Sequence, residues 1–445
     1  MTQEVLNLIE IKDFKNLKIK LADMLVPDIA SVLEEIKDKA SVMIVFRLLP
    51  KDLSAEVFSY ISSEAQEIVV NYLSNSELSF IMEELATDDA VDFIEEMPTN
   101  IVEKALKVAT PETRKTINKF LSYEDDTAGA IMTPEFVKLN MDMTVEEAID
   151  EVRKQGEEAE TVNVLYVTDN KKVLKGVLTI KELILAKKGQ KISDIAEENV
   201  VCATTNMDQE KIATIFSKYD FLALPVIDKE NRIVGIVTVD DIIDVIKEET
   251  TEDFEKMAAV HTSDDTPYLK TSPLKLAARR FTWLGVLLIT GIFTSMLITM
   301  YEETFASVSA LVCLLPMLMG TSGNCGTQIS TIIIRALSTR EVGLRDYAKV
   351  FFKEFFVSLL LGLLLAIIAF VCVTIQHSSW LLGLAIAIPL MVVVFIADFL
   401  GFTLPILAKK FKLDPALIAT PILTTLLDCC VVFVYFNFAS WILSL

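Results

Sequence analysis

From residue 275 to Leu445 the chain is apolar almost without a break, and no water-soluble domain can hide that much hydrocarbon. Stretches long enough to cross a bilayer fall at about 281–301, 305–336, 355–376, 380–408 and 415–444. The sequence therefore describes a polytopic membrane protein. Charge divides at the same place. Of 41 basic and 62 acidic residues, 11 and 8 follow residue 274, leaving a net −24 on the first 274 residues and +3 on the rest. A head so acidic excludes nucleic acid as a partner and disfavours an anionic lipid surface, but suits cations.

Orientation follows from where the positive charges lie. Past residue 281 the basic residues are Arg335, Arg340, Arg345, Lys349, Lys353, Lys409, Lys410 and Lys412, all in two connections on the side of Arg279 and Arg280. The opposite connections, near Glu302-Glu303 and His377-Ser378-Ser379, have none. The first residues, MTQEVLNLIEIKDFKNLKIK, lack the apolar run of a signal peptide. The expectation is a cytoplasmic-membrane protein with its head in the cytoplasm and its C-terminus outside. Six scattered Cys without a CxxC spacing, and two His, argue against a zinc or disulfide framework.

The first third repeats every twelve residues. Blocks beginning at Leu25, Lys37, Leu49, Ile61, Leu73, Leu85, Met97 and Ala109 each carry an apolar ninth residue: Leu33, Val45, Val57, Val69, Ile81, Phe93, Ala105 and Ile117. Turn-forming residues follow many block starts, as in Leu49-Pro50 and Leu73-Ser74-Asn75. One short helix per block, stacked into a superhelix, is the expected domain over 1–125. Asp88, Asp89 and Asp92 cluster near one helix start, where capping and dipole compensation are the ordinary explanation.

A second repeat occupies 126–245. Tyr166-Val-Thr-Asp169 and Gly176-Val-Leu-Thr-Ile-Lys-Glu-Leu-Ile184 recur as Pro225-Val-Ile-Asp228 and Gly235-Ile-Val-Thr-Val-Asp-Asp-Ile-Ile243. Each copy reads as strand, turn, strand and Thr-opened helix, with helical segments before them at 144–154 and 208–219. The pattern resembles a tandem pair of α/β CBS domains. That resemblance implies ATP as a possible ligand, with Glu182 or Asp241 holding the ribose. Beyond it, Asp241, Asp244, Glu248, Glu252 and Glu255 step by three or four along one helical face just before the membrane. A solvated acidic face is the ordinary reading of each residue, but like charges so spaced repel. Together, the carboxylates favour an oxygen-ligated divalent cation, Mg²⁺ or Ca²⁺.

Within the membrane, Pro316-Met-Leu-Met-Gly320-Thr-Ser-Gly323-Asn324-Cys325-Gly326-Thr-Gln328 interrupts the second span. Such a run is expected to break the helix and line a cavity, with close packing through small residues as the competing account. Asp428 in the last span and Asp398 in the fourth are intramembrane carboxylates with no basic partner at comparable depth. A permeating cation is the natural partner, and Thr420, Thr424 and Thr425 precede Asp428 by one or two turns.

Taken with Asp88-Asp-Ala-Val-Asp92, Thr127-Ala-Gly-Ala-Ile-Met-Thr-Pro134, Thr251-Thr-Glu-Asp-Phe254 and Asp414-Pro-Ala-Leu417, these motifs resemble the MgtE-type magnesium channels from end to end. The resemblance implies a homodimer in the lipid bilayer with its pore between the membrane domains. It implies that Asp428 holds hydrated Mg²⁺, that Gly320, Asn324, Thr420 and Thr424 line the pore, and that Asp414 sits near its cytoplasmic mouth. A connecting or plug helix at about 246–268, within a 246–274 segment, would bind regulatory Mg²⁺ through Asp241, Asp244, Glu249, Glu252 and Asp253. It would do so with Asp208, Glu210 and Asp220 of the CBS pair, facing Asp88, Asp89 and Asp92. Thr420 stands where the family often has Asn, and Asp398 matches no family acid.

The function expected is passive Mg²⁺ conduction through a five-helix domain over 275–445, closed by cytosolic Mg²⁺ and opened when Mg²⁺ is low. No enzyme motif is present. The alternatives are a transporter of another divalent cation such as Co²⁺, and an Mg²⁺- or nucleotide-sensing scaffold without transport.

Overall fold

A computed structural model describes residues 2–258, 260, 271–301, 308–339, 341–416 and 421–444. They fall into two compact bodies, divided between Lys247 and Glu248.

The first body opens with α1 (Thr2–Glu10) and α2 (Phe14–Ala22), followed by eight helices of ten residues each. These are α3 (Val26–Glu35), α4 (Lys39–Leu48), α5 (Lys51–Tyr60), α6 (Ser63–Tyr72), α7 (Asn75–Glu84), α8 (Thr87–Glu96), α9 (Thr99–Val108) and α10 (Pro111–Phe120). From α5 on, each starts twelve residues after the last, so the sequence period becomes one helix plus a two-residue extended link. Local chemistry sets the starts. Asp38, Ser74 and Thr110 accept the N–H three residues on, Ser74 with Glu77 forming a reciprocal box. The eight repeated ninth residues, Leu33 through Ile117, are at most 2 % exposed. Helices pack on the next but one, α3 on α5, α5 on α7 and α7 on α9, with α4 on α6 and α8 on α10 beside them. Side chains bridge the layers, as where Lys104 donates to the C-terminal carbonyls of α6 and its link, Val70 and Leu73.

The CBS copies follow. Strands β1 (Phe136–Asn140), β2 (Thr161–Thr168) and β3 (Leu174–Thr179) form one sheet, β1 parallel and β3 antiparallel to β2. Strands β4 (Ala203–Thr204), β5 (Ala223–Ile227) and β6 (Ile233–Thr238) repeat the arrangement. Helices α11 (Val145–Gln155), α12 (Ile180–Leu185), α13 (Gln209–Tyr219) and α14 (Val239–Met257) complete them. The hairpin tips join the two sheets through Leu174 N–H to Asn231 O at 3.1 Å and Ile233 N–H to Lys172 O at 3.2 Å.

The acidic segment read as one helical face is a single helix. With no Gly or Pro in VDDIIDVIKEETTEDFEKM, α14 runs unbroken from Val239 to Met257, and so passes without a break through residue 246, where the connecting helix was expected to begin. Residues 259 and 261–268 of that expected helix lie outside the described residues.

Among the described residues the second body holds five long helices: α15 (Pro273–Met300), α16 (Ser309–Ser338), α17 (Tyr347–His377), α18 (Trp380–Lys410) and α19 (Pro421–Leu443). By length and composition α15, α17, α18 and α19 are apolar enough to cross a membrane. Helix α16 carries the polar Gly320–Gln328 run. Contrary to expectation it is one continuous helix with Pro316 inside it. Gly326 within that run is tolerated because the neighbouring helices α18 and α19 close on it. The first helix starts earlier than the apolar run, at Pro273, because Ser272 caps it and accepts from Lys275 N–H. Helix α18 is the packing centre, against α16, α17 and α19, whereas α15 touches chiefly α19.

Candidate functional site

Two groups of residues stand out, one in each body. In the membrane body α16 and α19 face each other across an open cleft of about 910 Å³. On α16 it is lined by Gly320, Gly323, Asn324, Thr327, Gln328 and Thr331, and on α19 by Thr424 and Asp428. Asn324, Gln328 and Thr331 recur at helical spacing, and Thr424 precedes Asp428 by one turn, so each helix presents one polar stripe. Of the expected pore-lining residues, Gly320, Asn324, Thr424 and Asp428 are thus brought together. Thr420 lies outside the described residues.

The glycines of α16 divide the labour. Gly320 and Gly323 leave room, since an added methyl at Gly320 would meet nothing within 4 Å. Gly326 is a contact: a methyl there would come 2.5 Å from Leu427 of α19. A methyl on Gly401 of α18 would come 2.7 Å from the Gly326 carbonyl oxygen. Both sequence explanations therefore hold, cavity at one end of the run and close packing at the other.

Asp414, expected at the mouth, does not line the cleft. Its carboxylate accepts the Ala416 N–H at 2.8 Å and the Lys256 ammonium at 2.8 Å. Lys256 also pairs with Glu252 at 2.6 Å. Glu252 was expected to bind a regulatory divalent cation, and here the protein's own ammonium sits on that carboxylate. Burial pulls that ammonium's pKa down, but its bonds to Asp414 and Glu252 outweigh this and hold it above the usual lysine range. Glu249 and Asp253 lie on the same helix.

In the first body, α8 carries Asp88 and Asp89 in its first turn and Asp92 one turn on. Burial and then Asp241, Asp89 and Glu160 push the Asp88 carboxyl well above the usual range. Burial and Asp241 bring Asp89 to about 6. Asp241 itself is raised by burial, against the hydrogen bonds from Thr238 that pull it down. Glu160 is carried towards about 7, by burial and then by Asp240, Asp89 and Asp241, although its side chain keeps an exposed edge where water blunts the push. Asp92 is raised by burial and by Asp89, Glu95 and Glu96, although its side chain keeps an exposed edge where water blunts the push. Next to Asp89 lies a cleft of about 820 Å³ whose lining includes Glu56, Glu83, Glu84, Glu135, Glu157, Glu158 and Glu160 and, among the described residues, no basic one. Glu135 ties the repeat to the first CBS copy, accepting the Thr87 N–H at 3.1 Å. Among the described residues no three His, Cys, Asp or Glu side chains close tightly enough to cage a metal directly. All-oxygen donors held this far apart suit an ion that keeps part of its water shell, as Mg²⁺ does.

The remaining expected ligands are dispersed. Asp208 caps α13, accepting the Lys211 N–H at 3.3 Å, and Glu210 sits in its first turn. Asp220 ends the same helix in a left-handed conformation, φ 54°. The helix separates Asp208 from Asp220 by roughly 18 Å, so no single ion bridges them. Asp244 is exposed and pairs with Lys247 at 2.6 Å. The two candidate ribose acids play matching parts: Glu182 accepts the Thr179 N–H at 2.8 Å, and Asp241 the Thr238 N–H at 3.3 Å.

Sequence reasoning missed Thr331, Lys256, Glu135 and Glu160. Thr331 was legible by helical spacing from Asn324 once α16 is continuous, and Lys256 as a basic residue in an acidic stripe. Glu135 and Glu160 carried no signal, since only folding brings them to Asp89.

Comparison with known proteins covers nearly all of the chain. Residues 24–126 match the family model described as the MgtE intracellular N domain, 128–189 and 192–248 match the CBS domain, and 315–438 match a divalent cation transporter model, MgtE. The chain is 40 % identical over 435 residues to the magnesium transporter MgtE of Thermus thermophilus, covering 97 % of this chain and 96 % of that one. To the magnesium transporter MgtE of Bacillus subtilis it is 33 % identical over 434 residues, covering 95 % of each. Among solved structures it resembles the cytosolic domain of the Mg²⁺ channel MgtE in complex with ATP, at 35 % identity and a TM-score of 0.52. That likeness covers 55 % of this chain and 100 % of that one.

Proposed function

The chain belongs to the MgtE family of magnesium transporters, and on that premise we propose that it is a passive Mg²⁺ channel gated by the cytosolic ion. The observation that carries the reading is the cleft between α16 and α19, where Asn324, Thr424 and Asp428 converge inside a body of membrane-length helices. A carboxylate set among amide and hydroxyl groups suits an ion still wearing water, because Mg²⁺ dehydrates reluctantly. The cleft is open on one side, which supports a homodimer in which a second copy completes the path. The C-terminus then lies outside, opposite the basic connections.

Gating rests on the head. Asp88, Asp89, Asp241 and Glu160 crowd together at a cost visible in their raised pKa values. Mg²⁺ entering among them would remove that cost, favouring the compact, closed state by population shift. The ATP held by the related cytosolic domain supports nucleotide binding at this CBS pair, with Thr179-Glu182 and Thr238-Asp241 as the places to probe.

The test is Mg²⁺ influx into liposomes holding the full chain, wild type beside Asp428→Asn, with Mg²⁺ varied on the head side. Influx lost in the variant, and suppressed in wild type by head-side Mg²⁺, is the expected result. Influx indifferent to Asp428→Asn removes that residue from the path, and no flux at all favours a sensor. Substituting Co²⁺ for Mg²⁺ reports on the other-cation alternative.

A further inference from the structure

The second intramembrane acid, Asp398, takes no part in the cleft. It sits on α18 twelve residues before the helix ends at Lys410, roughly 18 Å along it. The residue is 5 % exposed, and its Oδ2 is wholly buried without a hydrogen-bond partner. That oxygen belongs to a void too small for a water molecule. From α17 the void is lined by Glu354, Ser358, Phe351 and Phe355, and from α18 itself by Phe395, Phe399 and Phe402. The Ser358 hydroxyl donates to the Phe355 carbonyl at 3.1 Å and is not spent on Asp398.

The titratable groups facing Asp398 are therefore Glu354 from α17 and the Cys325 thiol from α16. Among the described residues no Lys, Arg or His lines the void, and the nearest cation, Lys353 beside Glu354 on α17, acts on Glu354 from outside it. Aromatic rings, an acid and no water give a carboxylate nothing to replace its hydration, and a second negative charge opposite makes matters worse. Mg²⁺ has no route to compensation here, because the void cannot hold the ion with any of its water. A proton can enter where no other cation fits.

We propose that Asp398 and Glu354 form a proton-binding site within the membrane, outside the ion path, at which the pair holds one proton at neutral pH. The site lies directly behind the wall of the cleft. The carbonyl of Ala397, the residue before Asp398, lies against Gly326 of α16, and Asn324 two residues earlier faces the cleft. The bound proton keeps α17 and α18 together by sparing the void two opposed charges and the water they would draw in.

The test uses the full chain in liposomes and dicyclohexylcarbodiimide, which reaches protonated carboxyl groups from the lipid phase, with adducts located by mass spectrometry. Infrared spectroscopy in parallel reads the carbonyl stretch of a protonated acid, which needs no reagent access. At neutral pH the expected result is an adduct on Asp398 and a protonated-acid band, both lost in Asp398→Asn and both fading as pH is raised. In Glu354→Gln the fading moves to lower pH, because the opposing charge is gone. A band that Asp398→Asn removes, even without an adduct, upholds the proposal with the reagent excluded. If wild type at neutral pH has neither adduct nor a band sensitive to Asp398→Asn, the acid is ionised and the proposal is overturned.

Discussion

At the scale of the residue, two glycines of similar appearance in the sequence do different work. Gly401→Ala must push its methyl into Ile329 and the Gly326 carbonyl, so it should cost about 1–3 kcal/mol. Gly320→Ala meets open space and should leave stability unchanged apart from any gain in helix propensity. Thermal unfolding of the two variants in detergent separates them, and equal melting would refute the packing account. Lys256 is a second residue-scale case. Its links are half-open to solvent, Glu252 being 52 % exposed and Asp414 29 %, and together are worth about 1 kcal/mol at most. If that contact holds the closed state, Lys256→Ala should raise the head-side Mg²⁺ needed to suppress influx about fivefold. An unchanged inhibition curve would make the contact a passive one.

The ten-residue helix of the head with its two-residue link is a unit held by a few deeply buried side chains, Ala90, Val91, Phe93 and Ile94 in α8. Phe93→Ala, which also removes the edge-on contact with Phe58 at 5.2 Å, should destabilise the head by about 3–5 kcal/mol. Tyr72→Ala, at a side chain 54 % exposed, should fall within about 0.5 kcal/mol of wild type. Denaturant unfolding followed by helix signal decides between them. These elements were the most legible part of the sequence, because burial at Leu33, Val45, Val57 and their successors repeats with the helix itself. Helix α16 was misjudged for the opposite reason. Gly and Asn oppose a helix by propensity, but in hydrocarbon an unpaired backbone costs more than poor propensity, so the helix stays closed.

For the whole molecule, pH and Mg²⁺ should act on the head in opposite senses. Asp89 has a folded pKa of about 6 and Glu160 of about 7, against ordinary values of 3.8 and 4.5. Below the ordinary values both states are protonated and there is no penalty. As pH rises through the folded values the folded head must carry charges that the unfolded chain already carries in water, so stability falls and stays low above about 7. The Mg²⁺-free protein should therefore melt at higher temperature near pH 5 than near pH 8, with added Mg²⁺ raising the melting point much more at the higher pH. An equal Mg²⁺ effect at both pH values would contradict ion–proton competition at this cluster. The parts of the site drawn from one helix, Asp88 with Asp89 or Thr424 with Asp428, were legible in advance. Glu135, Glu160 and the Lys256–Asp414 pair were not, because their proximity is a property of the fold and has no spacing to read.

The packing of each head helix on the next but one has a consequence for how such a domain can change length. The odd-numbered helices form one continuous row, and α4 with α6 and α8 with α10 lie beside it, α6 also reaching α9. A block inserted between α5 and α8 would carry α8 and everything after it, Glu135, Glu160 and Asp241 included, as one piece to the opposite row. That would part Asp89 from Glu56 of α5 while leaving the carboxylates that follow α8 together. A pair of blocks would keep the row, so the domain can lengthen without exchanging its faces only by twice its twelve-residue period.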